Sequence, residues 1–430
     1  MPAERSAPQR VERELLDDGL QVVRQAAPAG ARSVAITYLV PGGWAYDPDG
    51  GEGTAFALCR ALLLGAGPWD RMQLDRRLDR LGAALTSRCD PESAELTVWG
   101  PEERAEELFD VLSTAASAPR LAPDDVDRVL EAQRERQLRE VTQPGSRADS
   151  ELLRALFPAG HPYRLTGLGT ERTIRRITPE RLRRFHRARY PARGARLVVT
   201  TRRPISEWVR RARRRWTEAT AAADPAAAPP APRSPPARPL RIALPGRTQV
   251  EIRVGGPSVP RSSPAYDGVY LANEVLGGRS PICRLFQTVR ERAGLAYHAS
   301  SEVHAMRLGG YWLAAVGTGP ERVEPTLKLL FDEIDRIAER PIPSAELDRV
   351  RESAIGELPL ALETTLGAHE LAADIAYYDL PDDYLERWPD RLRGLSPARV
   401  QAAAVAGLSR ATAATVIAGP AGPRASPGRR

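Results

Sequence analysis

The hydrophobic pattern of the chain repeats itself once. Near the start of each half an apolar strand run appears, Val34 to Val40 and then Gln249 to Val254. A helix pattern follows at Gly53–Leu64 and Tyr266–Leu276, and a second at Met72–Leu81 and Pro281–Arg292. Alternating strands come next, at Ala94–Trp99 and Gly310–Val316. A long helix begins after Gly100-Pro101 in one half and Gly319-Pro320 in the other, and a last strand closes each half at Ala195–Thr200 and Ala413–Ile417. Short echoes sit at a near-constant offset: Gly100-Pro101-Glu102 with Gly319-Pro320-Glu321, Asp127-Arg128-Val129 with Asp348-Arg349-Val350, and Thr178-Pro179 with Ser396-Pro397. That regularity predicts a duplicated domain. The expected fold class is α+β, with two homologous halves, each an antiparallel sheet with helices packed on it. An Ala/Pro-rich stretch at 218–239 has no face to bury and reads as a connector, so the expected domains are 1–217 and 240–425.

Within Pro281–Arg292 the local signals are specific. Ser280 suits an N-cap, Pro281 the first helical position, and Ile282, Leu285, Phe286 and Val289 fall at i, i+3, i+4, i+7, which predicts a buried stripe ended by Gly294. Arg290 then lies in the last turn and Tyr297 at the start of the next strand, so a short turn brings both to one surface. Taken alone, Arg290 could be a cation complementing a helix C-terminus and Tyr297 a core aromatic of a strand.

Charge narrows the function classes. The formal net charge is +7, but the basic residues are almost all Arg, with Lys328 the lone lysine, a bias that coding composition explains as well as a binding surface. The dense run Arg210–Arg215 lies on an amphipathic helix pattern, and no interleaved aromatics track a nucleic-acid strand. No nucleic-acid partner is expected. The first residues lack the apolar core of a signal peptide and no run of about 18 apolar residues occurs, so no membrane association is expected. Three cysteines, Cys59, Cys89 and Cys283, are far apart with no CxxC pair, which suits a reducing, cytoplasmic setting. Of the five histidines, His298 and His304 share a face of a predicted strand near Glu302, but no further carboxylate completes a metal set; His161, His186 and His369 are scattered.

The stretch LGGRSPICRLFQTVRERAGLAYHASSEV, Leu276 to Val303, resembles the C-terminal half of the pitrilysin/insulinase family of zinc peptidases, in its processing-peptidase-like branch. There an RLFxxxRExxGLAY segment supplies an Arg and a Tyr to the active site, which fall here on Arg290 and Tyr297. The resemblance extends over Gly169 to Thr200 and nearly the whole chain. In the family, the first half carries an inverted H-x-x-E-H zinc motif on a helix. Here Gly53–Gly65, GTAFALCRALLLG, puts Phe56, Cys59 and Arg60 at those positions, and the later V-L-x-E ligand falls on Ala132, with Glu131 about 100° off the helical face. Catalytic zinc needs about three His, carboxylate or thiolate ligands plus an open position. One thiol, Cys59, which also reads as a small buried hydrophobe, and one fixed cation, Arg60, cannot supply them, so no metal is expected in this chain.

The resemblance implies a zinc-less subunit of a two-chain metallopeptidase. The partner would be a homologous chain bearing H-x-x-E-H and the zinc, and the substrate a peptide, in degradation or in processing such as leader-peptide removal. Tyr297 would donate to the tetrahedral oxyanion, Arg290 would hold substrate carbonyls, and Gly277-Gly278 would allow close backbone approach in substrate binding, although Arg279 stands where the family often has a third small residue. Other readings of the same family likeness are a structural core-type subunit, in which Arg290 and Tyr297 have no catalytic role, or a peptide-binding module.

Overall fold

In the computed structural model, which describes residues 10–190, 193–216 and 229–420, the chain forms two compact units. Neither is contiguous in sequence. The first draws on residues 1–137, 166–227 and 356–389, the second on 138–165, 228–355 and 390–430. Of the connector expected at 218–239, residues 218–228 lie outside the described residues, and 229–239 carry no helix or strand.

The first unit is built on a six-stranded sheet of β1 (Glu12–Leu15), β2 (Gln21–Ala26), β3 (Ser33–Val40), β6 (Ala84–Cys89), β7 (Ala94–Pro101) and β8 (Arg196–Thr201), with a small hairpin β4 (Gly65–Ala66) and β5 (Trp69–Asp70) beside it. The second holds a five-stranded sheet of β9 (Leu240–Ala243), β10 (Val250–Ser258), β11 (Ala296–Ala305), β12 (Gly310–Thr318) and β13 (Ala414–Gly419). The orders are β1-β2-β8-β3-β7-β6 and β11-β12-β10-β13-β9. Read from β6 and from β11, the two sheets share one order, with β1 added at the far edge of the first. The duplication signalled by the sequence is therefore a duplication of topology.

Each sheet departs from the expected all-antiparallel pattern by one pair: β2 with β8, and β9 with β13, run parallel. β8 and β13 return only after the helical part of their half, and so long a connection can place a strand parallel to its neighbour where a hairpin cannot.

The helices are α1 (Thr54–Ala61), α2 (Arg71–Leu81), α3 (Ala105–Ser117), α4 (Pro123–Thr142), α5 (Pro144–Leu156), α6 (Glu171–Ile174), α7 (Pro179–Arg189), α8 (Ile205–Arg215), α9 (Tyr266–Gly277), α10 (Val323–Glu339), α11 (Ser344–Leu362), α12 (Thr365–Tyr377), α13 (Tyr384–Arg393) and α14 (Pro397–Gly407). Among the described residues none is long and apolar enough to cross a membrane.

The central strands read as near-continuous apolar runs because both of their faces are covered. In β3, seven of eight residues are buried. Val34, Ile36, Tyr38 and Val40 pack with Leu58 and Leu62 after α1 begins and with Leu108 and Leu112 of α3. Behind them, Val23 and Val198 pack on Ala372, Ala373, Ile375 and Ala376 of α12, a helix contributed by the second half of the sequence. The second unit mirrors this: Ala148, Leu152 and Leu156 of α5, from the first half of the sequence, cover Ala414, Val416 and Ala418 of β13. Each sheet thus takes one covering helix from the other sequence half.

Candidate functional site

The segment that carries Arg290 and Tyr297 is shaped by two irregularities. The expected α-helix over Pro281–Arg292 is replaced by a turn and then by a π-helical stretch, Phe286–Arg292. Ile282 and Cys283 fall in the turn that precedes it, outside the helical register. Cys283, Leu285 and Val289 are buried, Phe286 is half-buried and Ile282 is 50% exposed, so the place given to Ile282 in the expected stripe belongs to Cys283. Arg290 is exposed, its guanidinium 4.7 Å over the Phe286 ring.

The chain then turns at Gly294, in the left-handed region at φ 61°, which suits glycine. Thr318 donates to the carbonyl of Leu295 at 2.6 Å and Arg322 to that of Gly294 at 2.9 Å, tying the turn down.

The second irregularity is a β-bulge. Ala296 pairs with Thr318 and His298 with Gly317, which leaves Tyr297 as the extra residue of β11. A bulge re-aims one side chain away from the pleat. Tyr297 is 60% exposed, and the core-aromatic reading of it is excluded. Arg290 and Tyr297 therefore flank one fastened turn, both exposed and not in contact with each other.

Beside Tyr297, His298 Nε2 lies 3.3 Å from Glu251, which accepts from Arg253 at 2.8 Å, and Arg253 also pairs with Asp149. Burial pushes the Glu251 carboxyl up, but hydrogen bonds from His298 and Arg253 outweigh it and hold it below its ordinary range. Gly317 makes room for the imidazole, since a Cβ there would stand 2.4 Å from the His298 ring. This chain of charges was missed in the sequence because its members come from three distant segments; only the tyrosine-histidine adjacency is local. His304 goes elsewhere, 3.3 Å from Glu302 and stacked on Tyr311 at 4.5 Å. Among the described residues no group of three His, Cys, Asp or Glu could hold a metal.

The tight space at Gly277 and Gly278 is set by this chain's own backbone and side chains. A Cβ on Gly277 would lie 2.4 Å from the backbone nitrogen of Ser301 in β11, and one on Gly278 2.3 Å from the Glu274 carboxylate. Gly277 lets the end of α9 lie against the strand that carries Tyr297.

In the first unit, Phe56, Arg60 and Ala132 converge on a single cavity of about 340 Å³ between α1 and α4. Cys59 is not on its wall: it is fully buried, its thiol donating to the carbonyl of Arg88 at 3.1 Å. Arg60 donates to the carbonyl of Ser87 at 3.3 Å, and Glu131 pairs with Arg134 at 2.8 Å. Zinc needs two or more neutral nitrogen, thiolate or carboxylate donors facing one point. The lining here offers a phenyl ring, a methyl group and guanidinium groups, so the residues present do not fit the metal. Arg71, Arg128 and Arg136 also line the cavity, and the sequence held the signal for two of them, since Arg128, Ala132 and Arg136 are spaced by four along α4. Gln133 joins α4 to the start of α1, its amide donating to the carbonyls of Gly53 at 3.1 Å and Leu168 at 2.8 Å.

Two family profiles match successive stretches of the chain. A profile of the insulinase family, peptidase family M16, matches residues 22–160, and one of the peptidase M16 inactive domain matches 176–354. An uncharacterized zinc protease of Streptomyces coelicolor is 27% identical over 369 residues, spanning 83% of this chain and 78% of that one. A crystal structure of a peptidase M16 inactive domain from Pseudomonas fluorescens superimposes with a TM-score of 0.88 at 23% identity, over 96% of this chain and 98% of that one. A protease from Helicobacter pylori gives a TM-score of 0.88 at 16% identity, over 96% and 100% of the two chains. At these identities the solved structures speak for the fold alone. With the two matches together spanning most of residues 22–354, the protein belongs to the insulinase (M16) peptidase family.

Proposed function

We propose that this chain is the zinc-less subunit of a two-chain metallopeptidase and lends Arg290 and Tyr297 to an active site whose zinc is held by a homologous H-x-x-E-H partner. The observation that carries this reading is the expulsion of Tyr297 by the β11 bulge, beside an exposed Arg290, in a chain whose own zinc positions hold Phe56, Arg60 and Ala132. A phenol turned out of the sheet at some cost in pairing makes sense as a donor presented to something outside the chain. The partner's zinc would supply water activation. Within this chain, the Tyr297 hydroxyl donates to the developing oxyanion and the Arg290 guanidinium orients a substrate carbonyl. The substrate class is a peptide, in degradation or in processing such as leader removal, and Gly277 lets α9 brace the strand that presents the tyrosine.

The reading is tested by co-expressing the chain with an H-x-x-E-H relative from its own genome. A one-to-one complex with zinc in one subunit only is expected by size-exclusion chromatography and metal analysis. Tyr297→Phe removes one donor and little volume, so it should lower turnover of the complex by about 10²–10³-fold with assembly intact. Arg290→Ala should also raise KM. Near-normal rates for both variants in an assembled complex would leave these residues structural and put the scaffold role in their place.

A further inference from the structure

The cavity that replaces the zinc site has an unbalanced charge. Four guanidinium groups, from Arg60, Arg71, Arg128 and Arg136, line about 340 Å³, and no carboxylate lines it with them. Some arginines outside the cavity are closely paired: Arg88 sits between Asp90 at 2.9 Å and Glu95 at 2.7 Å, and Arg284 makes a two-pronged contact with Glu346 at 2.9 and 2.7 Å. In the cavity, Arg71 reaches Asp75 and Asp125 only at 3.7 and 3.9 Å. Arg60 meets only the Ser87 carbonyl, and Arg136 only the Phe56 ring, 5.7 Å away. Among the described residues Arg128 has no partner at all.

Like charges gathered on one concave surface repel, and an anion between them removes that repulsion. Guanidinium forks match a carboxylate in a planar, two-pronged way. Phe56 and Leu64 on the same wall suit an apolar side chain next to that carboxylate. Gln133, also on the wall, is buried and spends its amide nitrogen on two backbone carbonyls, while its Oε1 has no partner and is suited to an N–H donor. A peptide carrying an acidic residue offers all three features, the carboxylate, the apolar neighbour and the amide N–H.

We infer that the former zinc pocket of this chain is a binding site for an acidic residue of a peptide, so that the loss of zinc ligands exchanged a cation site for an anion site. The inference needs no partner subunit, since every residue in it belongs to the first unit.

The test is titration of the full chain by calorimetry with a blocked hexapeptide containing Phe-Glu, with its Phe-Gln isostere, and with inorganic phosphate. The Glu peptide should bind about tenfold tighter than the Gln peptide, as loss of charge-assisted contacts implies, and should weaken as salt rises. The Arg128→Gln/Arg136→Gln double variant changes two exposed side chains and should keep its melting temperature while losing the Glu-over-Gln preference. Arginine side-chain NMR shifts at Arg60 on addition of the Glu peptide give a second readout. Equal binding of the two peptides, or a preference that survives in the double variant, would overturn the proposal. Binding of phosphate with no preference for Glu would show an anion site of a different kind and overturn the assignment to a peptide carboxylate.

Discussion

His369 shows how one side chain can tie a covering helix to a sheet. It projects from α12 between two strands, its Nε2 2.6 Å from the Thr37 hydroxyl of β3 and its Nδ1 3.1 Å from the Thr200 hydroxyl of β8. Burial pushes its pKa down to about 3, so it is neutral in the folded protein. The unfolded chain takes up this proton below about pH 6.5 while the folded one does not, so the contribution of His369 is present at neutral pH and is lost as pH falls from about 6.5 toward 3. His369→Gln should cost about 1–3 kcal/mol at pH 7, and the gap to the parent should narrow by about 1.4 kcal/mol per pH unit below about 6.5. Urea unfolding of both proteins at several pH values checks this. Asp47 titrates with the opposite sign, since burial outweighs the backbone N–H groups of Gly53 and Ala55 and raises it to about 7, but it cancels in the comparison. A gap independent of pH would show that His369 takes up its proton as readily in the folded state as in the unfolded chain.

At the scale of elements, the bulged strand β11 depends on the end of α9. A methyl group at Gly277 would meet the backbone nitrogen of Ser301 at 2.4 Å, with no flexible side-chain end to give way. Gly277→Ala should therefore destabilise the chain by about 1–3 kcal/mol, read as a lower Tm. Because β11 must shift to accept it, turnover of the proposed two-chain complex should fall as well. At Gly294, by contrast, nothing lies within 4 Å, so Gly294→Ala strains only the backbone at φ 61° and should cost about 1 kcal/mol. Equal and small losses for the two variants would mean that α9 does not brace the strand.

For the whole molecule, the exchange of α5 and α12 makes each sheet depend on both halves of the sequence. A chain cut in the 218–239 connector should give an N-terminal piece in which Val23 and Val198 have lost α12, and a C-terminal piece in which Val416 and Ala418 have lost α5. Apolar faces of that kind do not stay solvated, so each piece expressed alone should aggregate, and the two expressed together should recover one species of native size. Two stable monomers, each folded without the other, would contradict the dependence.

What was legible from the residues alone was whatever local periodicity encodes. The strands β3, β7, β10 and β12, the helices α1, α2 and α9, and the duplication all follow from runs and offsets that need no distant contact. The absence of zinc ligands was legible too, because Phe56, Arg60 and Ala132 lack the chemistry whatever their arrangement. The tertiary structure alone decided the rest. The parallel pairs, the exchanged helices and the cluster of Arg60, Arg71, Arg128 and Arg136 arise from residues far apart in sequence. The same holds for Tyr297. Nothing in the alternation of β11 marks the bulge, which exists because β12 supplies one fewer partner than β11 has residues, and that mismatch between two strands is what turns the tyrosine outward.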